Sequence, residues 1–176
     1  FNGKSWFCKD ATTETHWDYF PIPKSAQVYY SLDGYIHVNI QQREPVLRVL
    51  TGEGYYVDRD GRVMPLSSKF TSRVVVATGD INKKFACEKL GPFAMKLKNE
   101  PFWDAYIEQL VVRSNEDVVM IPKVGDFRIV LGKVDDCDAR LEKLILFLKD
   151  GITKKGWNRY KEINLKFDNQ VVCVRK

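Results

Sequence analysis

The chain has 176 residues, 44% hydrophobic and 29% charged, a balance that fits a globular protein of one ordinary domain or two small ones. No run approaches the roughly 20 consecutive apolar residues of a membrane helix, and the longest, Leu144–Leu148, reads as part of an amphipathic helix. The net charge of +5 is concentrated, because Gly151–Lys176 carries seven basic residues against two acids and residues 1–150 are neutral overall. A basic terminus of that kind points to an acidic partner, nucleic acid or an anionic surface, or else to a solvated face.

Residues 1–24 are aromatic-rich (Trp6, Phe7, Trp17, Tyr19, Phe20) but carry no clean period, and Pro21 and Pro23 close them off. They lack the basic head and apolar stretch of a signal peptide, and Phe1 in place of an initiating Met reads as the start of a fragment. From Ala26 the pattern sharpens. Gln27–Tyr30 and Tyr35–Gln41 read as strands around Ser31-Leu32-Asp33-Gly34, a turn whose glycine can take positive φ. Ile36, Val38 and Ile40 alternate with His37, Asn39 and Gln41, which predicts one buried and one wet face.

Val46–Leu50 continues extended after Pro45, and Thr51-Gly52-Glu53-Gly54 marks a boundary between two subdomains. Tyr55–Val57 and Val63–Pro65 flank a second turn, Asp58-Arg59-Asp60-Gly61. Val74–Ala77 is a short apolar strand. Leu90, Phe93, Ala94 and Leu97 then fall at i, i+3, i+4 and i+7, so a helix follows, with a kink or late start at Gly91-Pro92. Tyr106–Arg113, Val118–Ile121 and Phe127–Leu131 form an antiparallel meander. Asp135, Asp136 and Asp138 gather at the start of the strongest helix, whose stripe is Leu141, Leu144, Ile145 and Leu148 and whose stop is Gly151. Last, Ile163, Leu165 and Phe167 alternate with Asn164 and Lys166, Asp168-Asn169 turns the chain, and Gln170–Val174 returns as a terminal hairpin.

Catalytic and metal chemistry finds little footing. His37 lies mid-strand, His16 sits in the unpatterned segment, and neither accompanies a GxSxG elbow. Cys8, Cys87, Cys137 and Cys173 form no CxxC, so neither a zinc site nor a dense disulfide framework is expected, and Cys87, Cys137 and Cys173 read as buried thiols. Asp-Arg-Asp-Gly at 58–61 resembles the start of a calcium loop, but Arg62 and Lys69 stand where ligands belong. Aromatic and basic residues interleave at Lys154–Lys161, where Trp157 and Tyr160 could stack on bases or pack on the core. No catalytic residue, metal or cofactor is expected.

Longer runs carry a resemblance. Lys24–Val28 and Gly34–Pro45 resemble the end of a POTRA domain in the FtsQ/DivIB cell-division family, and Gly54–Pro65 is similar to the start of that family's β domain. Pro101-Phe102-Trp103, Ile121–Asp126, Gly156-Trp157 and Ile163–Cys173 follow in the right order and resemble its Bacteroidetes-type branch. A complete POTRA domain runs β-α-α-β-β, and the residues before Ala26 are too few for its first strand and both helices.

The resemblance implies an α+β fold: a partial POTRA domain over 1–50, then over 51–176 an FtsQ-type β domain, an antiparallel sheet with packed helices and a C-terminal hairpin. It implies a non-catalytic scaffold of the divisome, held in the inner membrane by one helix outside this sequence, with this region in the periplasm. FtsB/FtsL-like division proteins are the expected partners, one adding a β-strand beside the last strands, and nucleic acid is not. Carried across by position, the partner surface is Lys166, Phe167, Asn169, Gln170, Val171 and Val172, with Phe167 as apolar anchor and Lys166 facing an acidic residue. The competing reading is a nucleic-acid or anionic-surface module using the basic C-terminal segment.

Overall fold

A computed structural model describes residues 6–7, 23–67, 71–152, 159–168 and 170–176. The chain divides into two compact units, one of Phe1–Glu44 with Leu66–Thr71, the other of Pro45–Pro65 with Ser72–Lys176.

The smaller unit is built on a three-stranded sheet of β1 (Trp6–Phe7), β2 (Pro23–Tyr30) and β3 (Ile36–Gln42), in the order β1-β3-β2. The turn at 31–34 forms as expected. Gly34 takes φ +86°, its amide donates to the Ser31 carbonyl at 3.1 Å, and Ser31 donates to Tyr35 at 2.9 Å. The expected burial does not form. Val28 pairs with Val38, Tyr30 with Ile36 and Ala26 with Ile40, which puts six apolar side chains on one face. Val28, Tyr30 and Ile36 are nevertheless exposed, and Val38 and Ile40 half-buried. No helix occurs among the unit's described residues.

The larger unit opens with β4 (Pro45–Val49), so the division falls ahead of the glycines at 51–54. Val46, Leu47 and Val49 are buried, and β4 pairs on both sides, which commits these residues to the large sheet. Pro45 takes the first strand position, where a missing N–H costs no ladder bond. Next come β5 (Tyr55–Asp58), β6 (Val63–Pro65) and β7 (Val75–Gly79).

A helical run follows: α1 (Lys83–Phe85), a π turn (Ala86–Leu90) and α2 (Gly91–Asn99). The Asn82 side chain caps it by accepting from the Phe85 amide at 2.8 Å. The π turn resolves the conflict foreseen at Gly91-Pro92. Proline has no N–H for the carbonyl four residues back and its ring crowds it, so the wider turn sits just before Pro92 and α2 restarts with proline in its first turn. Leu90, Phe93, Ala94 and Leu97 are all buried, as their spacing predicts.

After α3 (Pro101–Tyr106), the meander forms as β8 (Ile107–Val112), β9 (Val118–Pro122) and β10 (Arg128–Gly132), with antiparallel pairing throughout. In α4 (Asp138–Leu146), Leu141 and Leu144 are buried, and a second π turn, Phe147–Ile152, carries the helical trace through Gly151. The acids before α4 do more than face its N-terminus. Asp135 accepts from Lys89 at 2.7 Å and Asp138 pairs with Lys96, tying this corner to the first helical run. The chain ends in β11 (Tyr160–Asn164) and β12 (Val172–Arg175).

These strands make a nine-stranded sheet in the order β12-β11-β10-β9-β8-β7-β4-β5-β6. It is mixed, not antiparallel as expected. The pairs β4–β7, β7–β8 and β10–β11 are parallel, since each joins strands separated by a hairpin or a helical crossover. The helices lie on one face. Val49, Ala77, Leu110, Met120, Ile129 and Ile163 stand in register there and share a core with Phe93, Leu97, Leu141, Leu144 and Leu148. Full burial of each such leucine contributes about 1.5–3 kcal/mol. The opposite face is more polar, with Gln109 donating to Thr78 at 2.8 Å and the Arg48 guanidinium 5.8 Å from the centre of the Tyr56 ring.

Candidate functional site

The two ends of the large sheet differ. At one, β6 has only three residues and ends on Pro65, features that blunt an edge. At the other, β12 pairs antiparallel with β11, and no described strand pairs with its outer side.

The orientation of that edge follows from one hydrogen bond. The Lys176 amide points inward and donates to the Arg159 carbonyl at 3.3 Å. Successive residues of a strand turn their N–H and C=O to opposite sides, so Val172 and Val174 also point inward while Cys173 and Arg175 point outward. Two residues of β12 thus offer both a donor and an acceptor to solvent. Side chains alternate across the other axis. Cys173 stands opposite Ile163 on the core side, which leaves Val172 and Val174 on the helix-free face, 38% and 48% exposed. The register slips between Tyr160 and Glu162, which adds a bulge in β11 opposite the end of β12.

The residues expected to bind a partner are spread over this edge and the connection before it. Val172 begins β12, Val171 is half-buried against the core, and Gln170 is exposed. Phe167 is 46% exposed, a side chain open to contact. Asn169 lies outside the described residues. Lys166 is already engaged: its ammonium donates to the Asp117 carboxylate at 2.6 Å, so it does not stand ready for an outside acid. The tight Asp168-Asn169 hairpin is replaced by a longer connection, since β11 ends at Asn164 and β12 starts at Val172. Leu165 continues toward β10 instead, its amide donating to the Val130 carbonyl at 2.9 Å.

Val174 and Arg175 belong to the edge although neither stands in the surface transferred by position. The alternation of Val172 and Val174 was visible, but which backbone groups face outward depends on pairing with β11. Asp117, the buried partner of Lys166, gives no signal at all from 49 residues away.

Charge gathers at the end of β12. Arg159, Lys161 and Arg175 are exposed, and Lys176 pairs with Asp126 at 2.7 Å, a contact that lowers the Asp126 pKa. Tyr160 packs into the core with its ring 6.0 Å from Phe147, so it is no stacking platform for bases. Trp157 and Lys154–Asn158 lie outside the described residues.

The other chemical candidates resolve locally. His37 Nε2 lies 3.1 Å from the Ser31 hydroxyl and its ring stacks on Tyr29 at 4.9 Å. Ser31 donates its proton to Asp33, so the carboxylate engages the hydroxyl instead of orienting the imidazole, the reverse of a triad. That hydroxyl is also the main cause of the lowered Asp33 pKa. The Asp58 carboxylate is a turn acceptor, taking the Asp60 amide at 3.0 Å and the Arg62 amide at 2.8 Å. Cys137 is buried, Cys87 and Cys173 are half-buried, all three are free thiols, and burial is the first cause raising each pKa. Cys8 and His16 lie outside the described residues.

Fold and edge together define a class: a helix-backed mixed sheet that ends in a strand with no neighbour on its outer side among the described strands. A family model described as FtsQ/DivIB, C-terminal related, matches residues 44–174. The chain belongs to this FtsQ/DivIB-related family, which gives it a role in cell division alongside other division proteins. The match spans the large unit from its first strand to β12. No curated protein matches the chain. Members of the family are membrane-anchored periplasmic division proteins, and no helix among the described residues is long and apolar enough to cross a membrane.

Proposed function

We propose that this region is a non-catalytic periplasmic scaffold of the division machinery that holds an FtsB/FtsL-like partner by strand addition to β12. The observation that carries the reading is the outer side of β12, where Cys173 and Arg175 present backbone groups that no described strand takes up. The surface proposed around it comprises Phe167, Gln170, Val171, Val172 and Val174, with Lys166 and Asn169 in the same stretch of sequence.

The ladder alone is too weak for tight binding. Two outward residues give up to four hydrogen bonds, and at about 0.5–1.5 kcal/mol net each they supply roughly 2–6 kcal/mol before ordering costs. Micromolar affinity needs about −8 kcal/mol. Side chains must supply the rest, and Val172, Val174 and Phe167 are the apolar area available beside the strand. The residues before Pro45, by their resemblance, form part of a POTRA domain.

Proline separates a ladder from a side-chain patch. In Arg175→Pro the lost N–H points to solvent, so the fold survives while an incoming strand loses its donor and meets the ring. Titration with an FtsB-like peptide from the same organism should show affinity falling at least tenfold. Unchanged affinity in a folded Arg175→Pro protein would remove strand addition. Val174→Pro is the contrast, because it deletes an inward bond to β11 and lowers stability.

A further inference from the structure

The connection from β11 to β12 departs from the sheet after Leu165, yet several attachments hold it. The Lys166 amide donates to the Asn164 side chain at 3.0 Å. From α4, the Lys143 ammonium donates to the Leu165 carbonyl at 3.3 Å and to the Phe167 carbonyl at 2.6 Å. From the opposite direction, Lys166 reaches Asp117 beside β9, whose carboxylate side chain is only 6% exposed. The Lys166 stem crosses β10 at Gly132, where a Cβ would lie 3.0 Å from its Cγ and 3.2 Å from Arg140 Nη1. Gly132 has φ +86°, a conformation in which a side chain would be strained besides being crowded.

This is an unusual use of two lysines. An exposed lysine ordinarily spends its charge on water. Here one ammonium bridges two main-chain carbonyls of the same connection, and the other is directed to a nearly buried carboxylate. Both act on the few residues that lead into the edge strand. Such a strand has a ladder on one side only, so its position depends on how its ends are tethered.

We infer that Lys143, Lys166 and Asp117 are positioning residues that hold the chain at 165–167, where it leaves β11, and thereby set β12 in a binding-ready geometry. The inference rests on β12 being the docking edge and adds which side chains prepare it. Strand addition requires outward groups at fixed spacing before the partner arrives, and an edge that must first be ordered binds more weakly. Lys166 therefore contributes through its bond to Asp117, which is made before any partner arrives.

The test uses the whole chain and two readouts. Lys143→Met and Lys166→Met keep the apolar stem and remove the ammonium, and Asp117→Asn removes the acceptor charge. Residue-resolved hydrogen exchange should accelerate roughly tenfold at the inward Val172 and Val174 amides, while β9 amides keep their wild-type rates. Affinity for the FtsB-like peptide should fall by a similar factor, and Lys143→Arg should restore both. Unchanged exchange at β12 overturns the inference, and so does an acceleration spread evenly over the sheet, which marks lost global stability. If the wild-type chain binds no peptide but the acceleration is confined to the edge, the docking reading fails while the positioning role is supported.

Discussion

Gly79 and Val112 meet where β7 and β8 end side by side, and a methyl carbon on Gly79 would fall 2.1 Å from the Val112 carbonyl oxygen. That oxygen also accepts the Asp80 amide at 3.0 Å, so it cannot retreat without giving up a hydrogen bond. Gly79 has φ +104°, so alanine there meets both backbone strain and collision. Gly79→Ala should cost about 3 kcal/mol or more in urea unfolding. Gly52→Ala isolates the strain alone, with φ +64° and open space around it, and should cost about 1–2 kcal/mol. Equal losses for the two variants would mean the β7–β8 contact is looser than described.

Asp117 sets an acid limit on stability. The hydrogen bond from Lys166 is the first cause holding its carboxyl below the ordinary value of 3.8, with Asn115 assisting and partial desolvation opposing. A folded-state value below the unfolded one means stability that is fully present above the unfolded value and lost as the pH falls through the folded one. Unfolding free energy should be flat in this respect from pH 7 down to about 5, then decline below about 4. Asp117→Asn should reduce that decline and Lys166→Met should shrink it. Asp126, fully exposed against Lys176, serves as the control, and Asp126→Asn should change the profile little at 0.15 M salt.

The cysteines give a chemical check on burial. Desolvation raises the thiol pKa of Cys87, Cys137 and Cys173, so at pH 8 each holds less thiolate than an exposed cysteine. Iodoacetamide labelling followed by peptide mapping should find all three slow in the folded chain. Cys137 should be slowest, since it is the only buried one of the three, and urea should bring them to a common rate. Fast reaction of Cys137 would show that the start of α4 opens readily.

What the residue pattern could reveal was local burial. Leu141, Leu144 and Leu148 declare a helix face, and the meander from Ile107 to Gly132 shows as three apolar runs with polar turns, because each signal lies within one element. The parallel pairs of β4, β7 and β8 were hidden, since alternation says which face is buried but not which strand lies alongside. At the candidate edge the same limit applies. Lys166, expected to face a partner's acid, is instead engaged by Asp117, brought to it across Gly132. The outward direction of Cys173 and Arg175 follows only from the Lys176–Arg159 bond. The apolar face of the β2–β3 hairpin was legible as a pattern, but its exposure was not, because burial also needs a second layer.

Leu165 and Phe167 test the edge most directly, because the alternation that pairs them in sequence does not survive in the fold. Leu165 is fully buried and its amide is tied to Val130, while Phe167 is half in solvent. Lys143 grips the carbonyls of both, turning the chain away from the strand between them. Leu165→Ala should therefore cost about 2–5 kcal/mol of stability, as expected for a core leucine. Phe167→Ala should cost less than about 1 kcal/mol in unfolding yet weaken the FtsB-like peptide by about tenfold, since its ring is 46% exposed in the connection that leads to β12. Lys166→Glu is the wrong probe for partner charge, because it sets a second carboxylate against Asp117 and unsettles the connection itself. Should Phe167→Ala leave peptide affinity intact in a folded protein, the anchor must be sought at Val172 and Val174, whose side chains stand on the helix-free face beside the same outward edge.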